Sequence, residues 1–135
     1  MRNKTLAAVL SVLLLAGACA DPKAPVAPTP VAPITTETFT GIVGVQSSTS
    51  HTFTVSQVGG VKVSLTSVEP GAAVGIGVGT PSSGSCLVLN SATAVAGPTV
   101  QLSGTATVTG SFCVSVFDVG NLVEPVTYTV TVFHS

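Results

Sequence analysis

From Glu37 to Ser135 the chain is a series of short runs in which apolar and polar side chains alternate, separated by Gly, Pro and Asp. Two such runs are HTFTVS at 51–56 and VKVSLT at 61–66, and no segment has the 3.6-residue apolar period of a helix. Successive side chains of a strand point to opposite faces, so each run predicts a strand with one apolar face. Val and Thr dominate, and their branching at Cβ favours strands.

About eight strands are predicted, at 38–43, 51–56, 61–66, 74–78, 86–89, 100–108, 112–117 and 126–133. Because a single sheet would leave its apolar face in water, this spacing predicts an all-β fold, an antiparallel two-sheet β-sandwich. Residues 57–60 (QVGG) predict a hairpin turn, residues 80–85 a loop, and the long final strand a central position in its sheet. The predicted core consists of Phe53, Val55, Val61, Val63, Leu65, Val74, Ile76, Val78, Phe112, Val114, Val116, Tyr128, Val130 and Val132.

Three segments resemble bacterial pre-peptidase C-terminal domains: 38–67 (TFTGIVGVQSSTSHTFTVSQVGGVKVSLTS), 110–116 (GSFCVSV) and 128–132 (YTVTV). The first is similar to the family's opening pattern, and the other two to its G-T-Y-Y-V-R-V strand and its closing Y-x-L-x-V strand. The resemblance implies a jelly-roll-like sandwich that usually serves secreted peptidases as an accessory module. The chain departs from the family in having no peptidase attached and in lacking, at 73–78 (AVGIGV), the acids through which some relatives bind calcium.

The first 18 residues have the three parts of a signal peptide. MRNK carries positive charge, TLAAVLSVLLL is apolar, and AGA at 16–18 is small. The apolar run is too short to span a membrane permanently, and a buried core helix is the alternative interpretation. We predict a signal peptide over residues 1–18 and export across the inner membrane.

Cys19 ends the segment LLAGAC, which resembles the lipobox of bacterial lipoproteins, although Ala16 stands where the family usually has Leu. The resemblance implies cleavage before Cys19 and acylation of its sulfur and amine, for example with palmitate, so that the lipid bilayer is a partner. Several acyl chains anchor a protein stably where one does not. Ala20, rather than Asp, follows the Cys, which implies the outer membrane in a Gram-negative source. The alternative is ordinary cleavage after Ala20, which would release a soluble protein.

Residues 19–36 form the predicted anchor and tether, with five prolines between Ala20 and Pro33. Proline fixes φ and donates no hydrogen bond, so this segment favours an extended spacer with a reach of about 40 Å. A stalk that lifts the 37–135 domain off a lipid surface is the favoured interpretation. A featureless N-terminal segment and a PxxP ligand remain alternatives.

Cys86 and Cys113 form an even pair inside a domain predicted to be exported, which favours a disulfide over two buried free thiols. Cys113 alternates with Phe112 and Val114, so we expect the bridge on the outer face of a sheet, tying down residues 84–99.

Charge and chemistry exclude several functions. Charged residues make up only 7% of the chain, and after Cys19 two basic residues stand against five acidic ones, a formal net charge of −3. Nucleic-acid binding needs a basic surface, so we predict no nucleic-acid partner. His51 and His134 sit at predicted strand ends and are expected at the surface, too few for a zinc site. We predict no catalytic residue, no metal and no cofactor.

Two polar or flexible segments have two interpretations each. Asp118-Val119-Gly120-Asn121 with Glu124 is a turn or a weak calcium loop. Gly75, Gly77 and Gly79 alternate within one strand and indicate either close sheet contact or a bend, or else a backbone exposed to a ligand.

The leading hypothesis is an exported, lipid-anchored, non-catalytic sandwich that binds or scaffolds an envelope protein or polysaccharide. The alternative is an accessory module for a separately encoded secreted peptidase or hydrolase, and an envelope enzyme is the third. A convergent set of charged groups would favour the third.

Overall fold

The computed structural model describes residues 23–135, so the predicted signal peptide and Cys19 lie outside the described residues. Residues 23–30 are exposed and have no helix or strand, and Val31–Ser135 form one compact unit. Within residues 23–135 there is no helix long and apolar enough to cross a membrane. The eight strands are β1 (Thr35–Val43), β2 (Ser48–Val55), β3 (Gly59–Glu69), β4 (Val74–Ser82), β5 (Ser85–Ala94), β6 (Leu102–Ala106), β7 (Gly110–Phe117) and β8 (Val126–His134).

The strands form two antiparallel sheets of four, one ordered β1-β8-β3-β6 and the other β2-β7-β4-β5. Consecutive strands alternate between the sheets up to β4, and β5 to β8 then return beside their earlier counterparts. This is the double Greek key of a jelly roll, so the predicted all-β two-sheet sandwich is confirmed. Strand β8 lies between β1 and β3, as its long alternating pattern predicted.

The core lies between the sheets and is built from the inward side chains of every strand. Twelve of the fourteen predicted core residues belong to it, and the other two, Val78 and Phe112, are partly buried and pack against it. The sequence prediction missed seven further contributors, which are small, near a strand end or, for Leu122, in the loop between β7 and β8: Val43, Val68, Ala94, Leu102, Ala106, Leu122 and Val126.

The predicted hairpin at 57–60 is wrong, because β2 and β3 belong to different sheets. Residues 56–58 cross the end of the sandwich, and the N–H groups of Ser56 and Gln57 donate to the Ser135 carbonyl at 3.0 and 3.3 Å. Gly59 and Gly60 are part of β3 and pair with β6. An alternating pattern of apolar residues shows which face of a strand is buried. It does not show whether the next strand is a neighbour in the same sheet or lies in the facing sheet.

The predicted loop at 80–85 is instead a tight hairpin between β4 and β5, in which Ser82 pairs with Ser85. Its two central residues, Ser83 and Gly84, both have positive φ, 47° and 80°. Positive φ at both positions defines a type I′ turn, whose twist matches that of the flanking strands.

The edge of β3 beyond the short strand β6 is completed by the side chain of Gln101. The N–H of Leu65 donates to Gln101 Oε1 at 2.8 Å, and Gln101 Nε2 donates to the carbonyls of Leu65 and Val95 at 3.3 and 3.2 Å. The side-chain amide thus takes the place of a neighbouring strand where β6 has ended.

Candidate functional site

The disulfide between Cys86 and Cys113 joins β5 to β7, two strands that both flank β4. In a flat sheet such strands lie about 9.6 Å apart, twice the spacing of neighbours. Their Cα atoms are only 5.8 Å apart, so the end of the β4–β5 hairpin curls toward β7. The pairing of β4 with β7 stops at Gly79, whereas its pairing with β5 continues to Ser82. Residues 80–87 are therefore a curled hairpin end.

The predicted disulfide is confirmed, and so is its position off the core. Cys113 does not belong to the core cluster, whereas Phe112 and Val114 on either side of it pack there. Cys113 is nevertheless only 1% exposed, because the curled hairpin end covers it. The sequence predicted the face of the sheet on which Cys113 lies, but not that the hairpin end covers this residue.

The three alternating glycines of β4 are all buried, so their interpretation as an exposed binding face is wrong. A Cβ at Gly75 would lie 2.1 Å from the Phe117 ring, and one at Gly77 would lie 2.6 Å from Val88. At Gly79 it would lie 1.8 Å from the backbone oxygen of Leu87, and β4 changes register with β5 at this point. Close contact is thus the correct interpretation, and Gly79 marks the bend that lets the hairpin curl.

A groove of about 460 Å³ opens between the curled hairpin end and the edge strand β2. Strand β2 contributes Ser50, His51 and Thr52 to its lining, and Phe39 of β1 lies at its inner side. Because the hairpin supplies one wall and two sheets supply the other, the groove exists only in the curled arrangement.

His51 lies within β2 with its side chain half-buried, not at a strand end as predicted. Its ring stacks on Phe39 with centroids 4.9 Å apart and planes 11° apart. Its Nε2 is 2.8 Å from the hydroxyl of Tyr128, which is itself 2% exposed. These two contacts hold the imidazole in one orientation at the side of the groove.

Burial sets the charge states of this pair. Removal from water lowers the pKa of His51 below its ordinary 6.5, so the imidazole is predominantly neutral at pH 7. Burial also raises the pKa of Tyr128 above 10.0, and the Thr49 side chain partly opposes this shift. The phenol is therefore protonated at neutral pH, and the His51–Tyr128 bond joins two uncharged groups.

His134 is also inside the sandwich, only 3% exposed, which corrects its predicted surface position. Its Nε2 is 2.9 Å from Oε1 of Glu37, and its ring lies 5.1 Å from that of Phe53. Glu37 pairs with Val132 in the register of β1 and β8, so this contact is a diagonal one on the inner face. The pair ties the beginning of β1 to the end of β8 and does not reach the groove lining.

Asp118 organises a turn and not a cation site. Its Oδ1 accepts hydrogen bonds from the N–H groups of Gly120, Asn121 and Leu122 at 2.7, 3.1 and 3.1 Å, and Oδ2 accepts one from Gln46 at 2.8 Å. The bond from Gln46 is the largest cause of its lowered pKa, and the other three add to it. With both oxygens taken by N–H donors, the turn interpretation holds. Residues 23–135 contain no group of three or more His, Cys, Asp or Glu that could hold a metal ion.

A second opening, the apolar cleft of about 210 Å³, lies where β5 and β6 face each other. Leu89, Leu102 and Val61 line it, and the Asn90 amide donates across it to the Ser103 carbonyl at 3.1 Å. It is smaller than a typical small-molecule site.

Sequence reasoning predicted none of the groove residues as a site. Phe39, Ser50 and Thr52 read as ordinary strand residues, and only the bend at Gly79 together with the disulfide brings a wall over them. The glycine alternation and the even cysteine pair were the signals available, and of those residues only Cys113 lines the groove. No family model and no curated protein matches the chain.

Proposed function

We propose that the protein is exported, anchored to a membrane through acylated Cys19, and acts as a non-catalytic binding or structural module of the cell envelope. The observation that carries this proposal is the Cys86–Cys113 disulfide in a domain that follows a lipobox-like segment. Disulfides persist in oxidising compartments outside the cytosol, which agrees with export. The exposed residues 23–30 fit a spacer between anchor and domain.

The contacts of the ionisable side chains favour binding over catalysis. His51 is bonded to Tyr128 and His134 to Glu37, and within residues 23–135 no hydrogen bond joins either imidazole to a Ser or Cys side chain. Asp118 is occupied by backbone N–H groups. The groove lining offers hydroxyls, an aromatic ring and one imidazole, and it contains no Asp, Glu or Lys side chain that would accompany them in acid–base chemistry.

The test is expression of the full chain in a bacterial host, followed by membrane extraction and intact-mass measurement. The expected product begins at Cys19, carries the mass of the added acyl groups and one disulfide, and partitions into detergent. Cys19→Ala should abolish partitioning, whereas the matched control Cys86→Ala should lose the disulfide and keep the anchor. An uncleaved leader, or an unacylated chain beginning at Asp21, would contradict the anchoring proposal.

A second candidate function is an accessory module for a separately encoded secreted peptidase. The jelly-roll topology favours it, because this is the fold that the resemblance to pre-peptidase C-terminal domains implies. A fold alone does not define a function. Enhanced activity of a neighbouring exported peptidase on adding the purified protein would support this candidate, and unchanged activity would argue against it.

A further inference from the structure

The groove under the curled hairpin end has an uncharged lining of mixed character. It comprises Phe39, the β2 residues 50–52, three residues of the hairpin and Cys113. His51 is its only ionisable side chain, since Cys113 is in the disulfide, and burial favours the neutral imidazole. A charged ligand would find no ion-pair partner in this lining, so an uncharged ligand fits it best.

Two hydroxyls of β2 are available to such a ligand. Ser50 and Thr52 are exposed, line the groove, and make no side-chain hydrogen bond within residues 23–135. Ser85 faces them from the hairpin, where its own hydroxyl donates to the Ser82 carbonyl at 2.8 Å. Hydroxyls both donate and accept hydrogen bonds, which suits a ligand that carries hydroxyls of its own.

His51 adds a fixed ring nitrogen. Its Nε2 is engaged by Tyr128, whereas Nδ1 has no partner within residues 23–135. No side-chain nitrogen in that range is both buried and without a partner, so Nδ1 is open to solvent. Stacking on Phe39 and the Tyr128 bond fix the ring, and this reduces the entropy lost when a ligand binds.

We propose that this groove binds a neutral saccharide. Phe39 stacks one face on His51, and the part of its ring that lines the groove supplies apolar surface for the C–H groups of a sugar, while Ser50, Thr52 and His51 supply hydrogen-bonding groups for its hydroxyls. The inference rests on the proposed function only in needing a binding module, and not on the lipid anchor.

The disulfide makes this site conditional on an oxidising environment. Cys113 lines the groove, and its bond to Cys86 holds the hairpin wall over β2. Reduction releases that wall and opens the groove, so saccharide binding should depend on the bridge.

The experiment uses the purified protein in whatever processed form the mass measurement finds, so its result does not depend on lipidation. Cellotetraose and tetra-N-acetylchitotetraose, both neutral, are titrated while amide chemical shifts are followed, with tetraalanine that is acetylated at its N-terminus and amidated at its C-terminus as the neutral peptide probe. The expected result is saturable shifts at millimolar saccharide, concentrated at residues 39, 50–52 and 84–86. Phe39→Ala should weaken binding about fivefold.

Thr52→Ala and Thr54→Ala form a matched pair, since both threonines are exposed on β2 but Thr54 does not line the groove. Thr52→Ala should weaken binding severalfold and Thr54→Ala should leave it unchanged. Addition of a reductant should abolish binding while the amide spectrum of the other strands persists. If the reductant unfolds the domain, the comparison of Thr52→Ala with Thr54→Ala still tests the proposal. Absence of saccharide shifts, shifts confined to the apolar cleft between β5 and β6, equal effects of the two Thr variants, or stronger binding of tetraalanine would each overturn the proposal.

Discussion

Removing the Cys86–Cys113 disulfide should cost the domain about 3.5 kcal/mol of unfolding free energy. The bridged residues are 27 apart in sequence, and a cross-link over such a loop removes about 12 cal/mol/K of entropy from the unfolded chain. At 25 °C this corresponds to about 3.5 kcal/mol, a large share of the 5–15 kcal/mol that is typical of a small domain. Cys86→Ala combined with Cys113→Ala is the perturbation, because Ala places no hydroxyl at the buried position 113.

Urea unfolding at equilibrium measures this difference. The double variant should unfold at lower urea, with a slope equal to or greater than that of the parent, since an unfolded chain without the cross-link exposes more surface. Cys19→Ala is the control, and it should leave the midpoint unchanged because position 19 lies before the domain. A loss below about 1 kcal/mol would refute the chain-entropy argument. Amide exchange should rise first at residues 80–87, the curled hairpin end that the bridge holds.

Three further perturbations test the strand and site contacts. Gly79→Ala should destabilise the domain by about 1–3 kcal/mol, because the new Cβ would meet rigid backbone. The control Gly60→Ala has open space around the new Cβ and should change the free energy of unfolding by less than about 1 kcal/mol. Equal urea midpoints of the two variants would contradict this prediction. Gln101→Ala should cost about 1–3 kcal/mol by leaving the Leu65 N–H without its acceptor, and a thermal midpoint equal to that of the parent would refute it. The folded-state pKa of His51 is below 6.5, so the unfolded chain binds more protons than the folded one as the pH falls through 6.5. The free energy of unfolding of the parent should therefore fall more steeply on acidification than that of His51→Gln. Parallel pH profiles of the two proteins would be evidence against the buried neutral imidazole.

The strands and the core were predictable from sequence because alternation is a local property. Each apolar side chain of 126–132 lies in the core, and every predicted core residue packs in or against it. Alternation predicts this because only one face of each strand is shielded from water. The central position of β8 also followed from its pattern. The disulfide followed from the even number of cysteines in the domain, which does not depend on knowing which strands are neighbours.

The arrangement of strands and the site were not predictable in the same way, because they depend on distant residues. The His51–Tyr128 contact spans 77 positions and the His134–Glu37 contact spans 97, and neither imidazole has a local pattern that names its partner.

The glycines of β4 and the disulfide act on the same face of one sheet, and together they explain why a strand with poor β propensity is in its interior. Gly75 and Gly77 leave no Cβ on that face, and the side chains of Phe117 and Val88 fill the space. At Gly79 the same lack of a side chain lets the backbone of β5 approach, and the hairpin bends there. Glycine weakens a strand, so three of them at alternate positions are a local cost that the fold must offset. The bridge offsets it by fixing the curl, and the result is the wall of the groove. Glycines that weaken a strand, and a disulfide that compensates for them, depart from the local rules of strand formation, and a binding site is expected where a fold keeps such a departure.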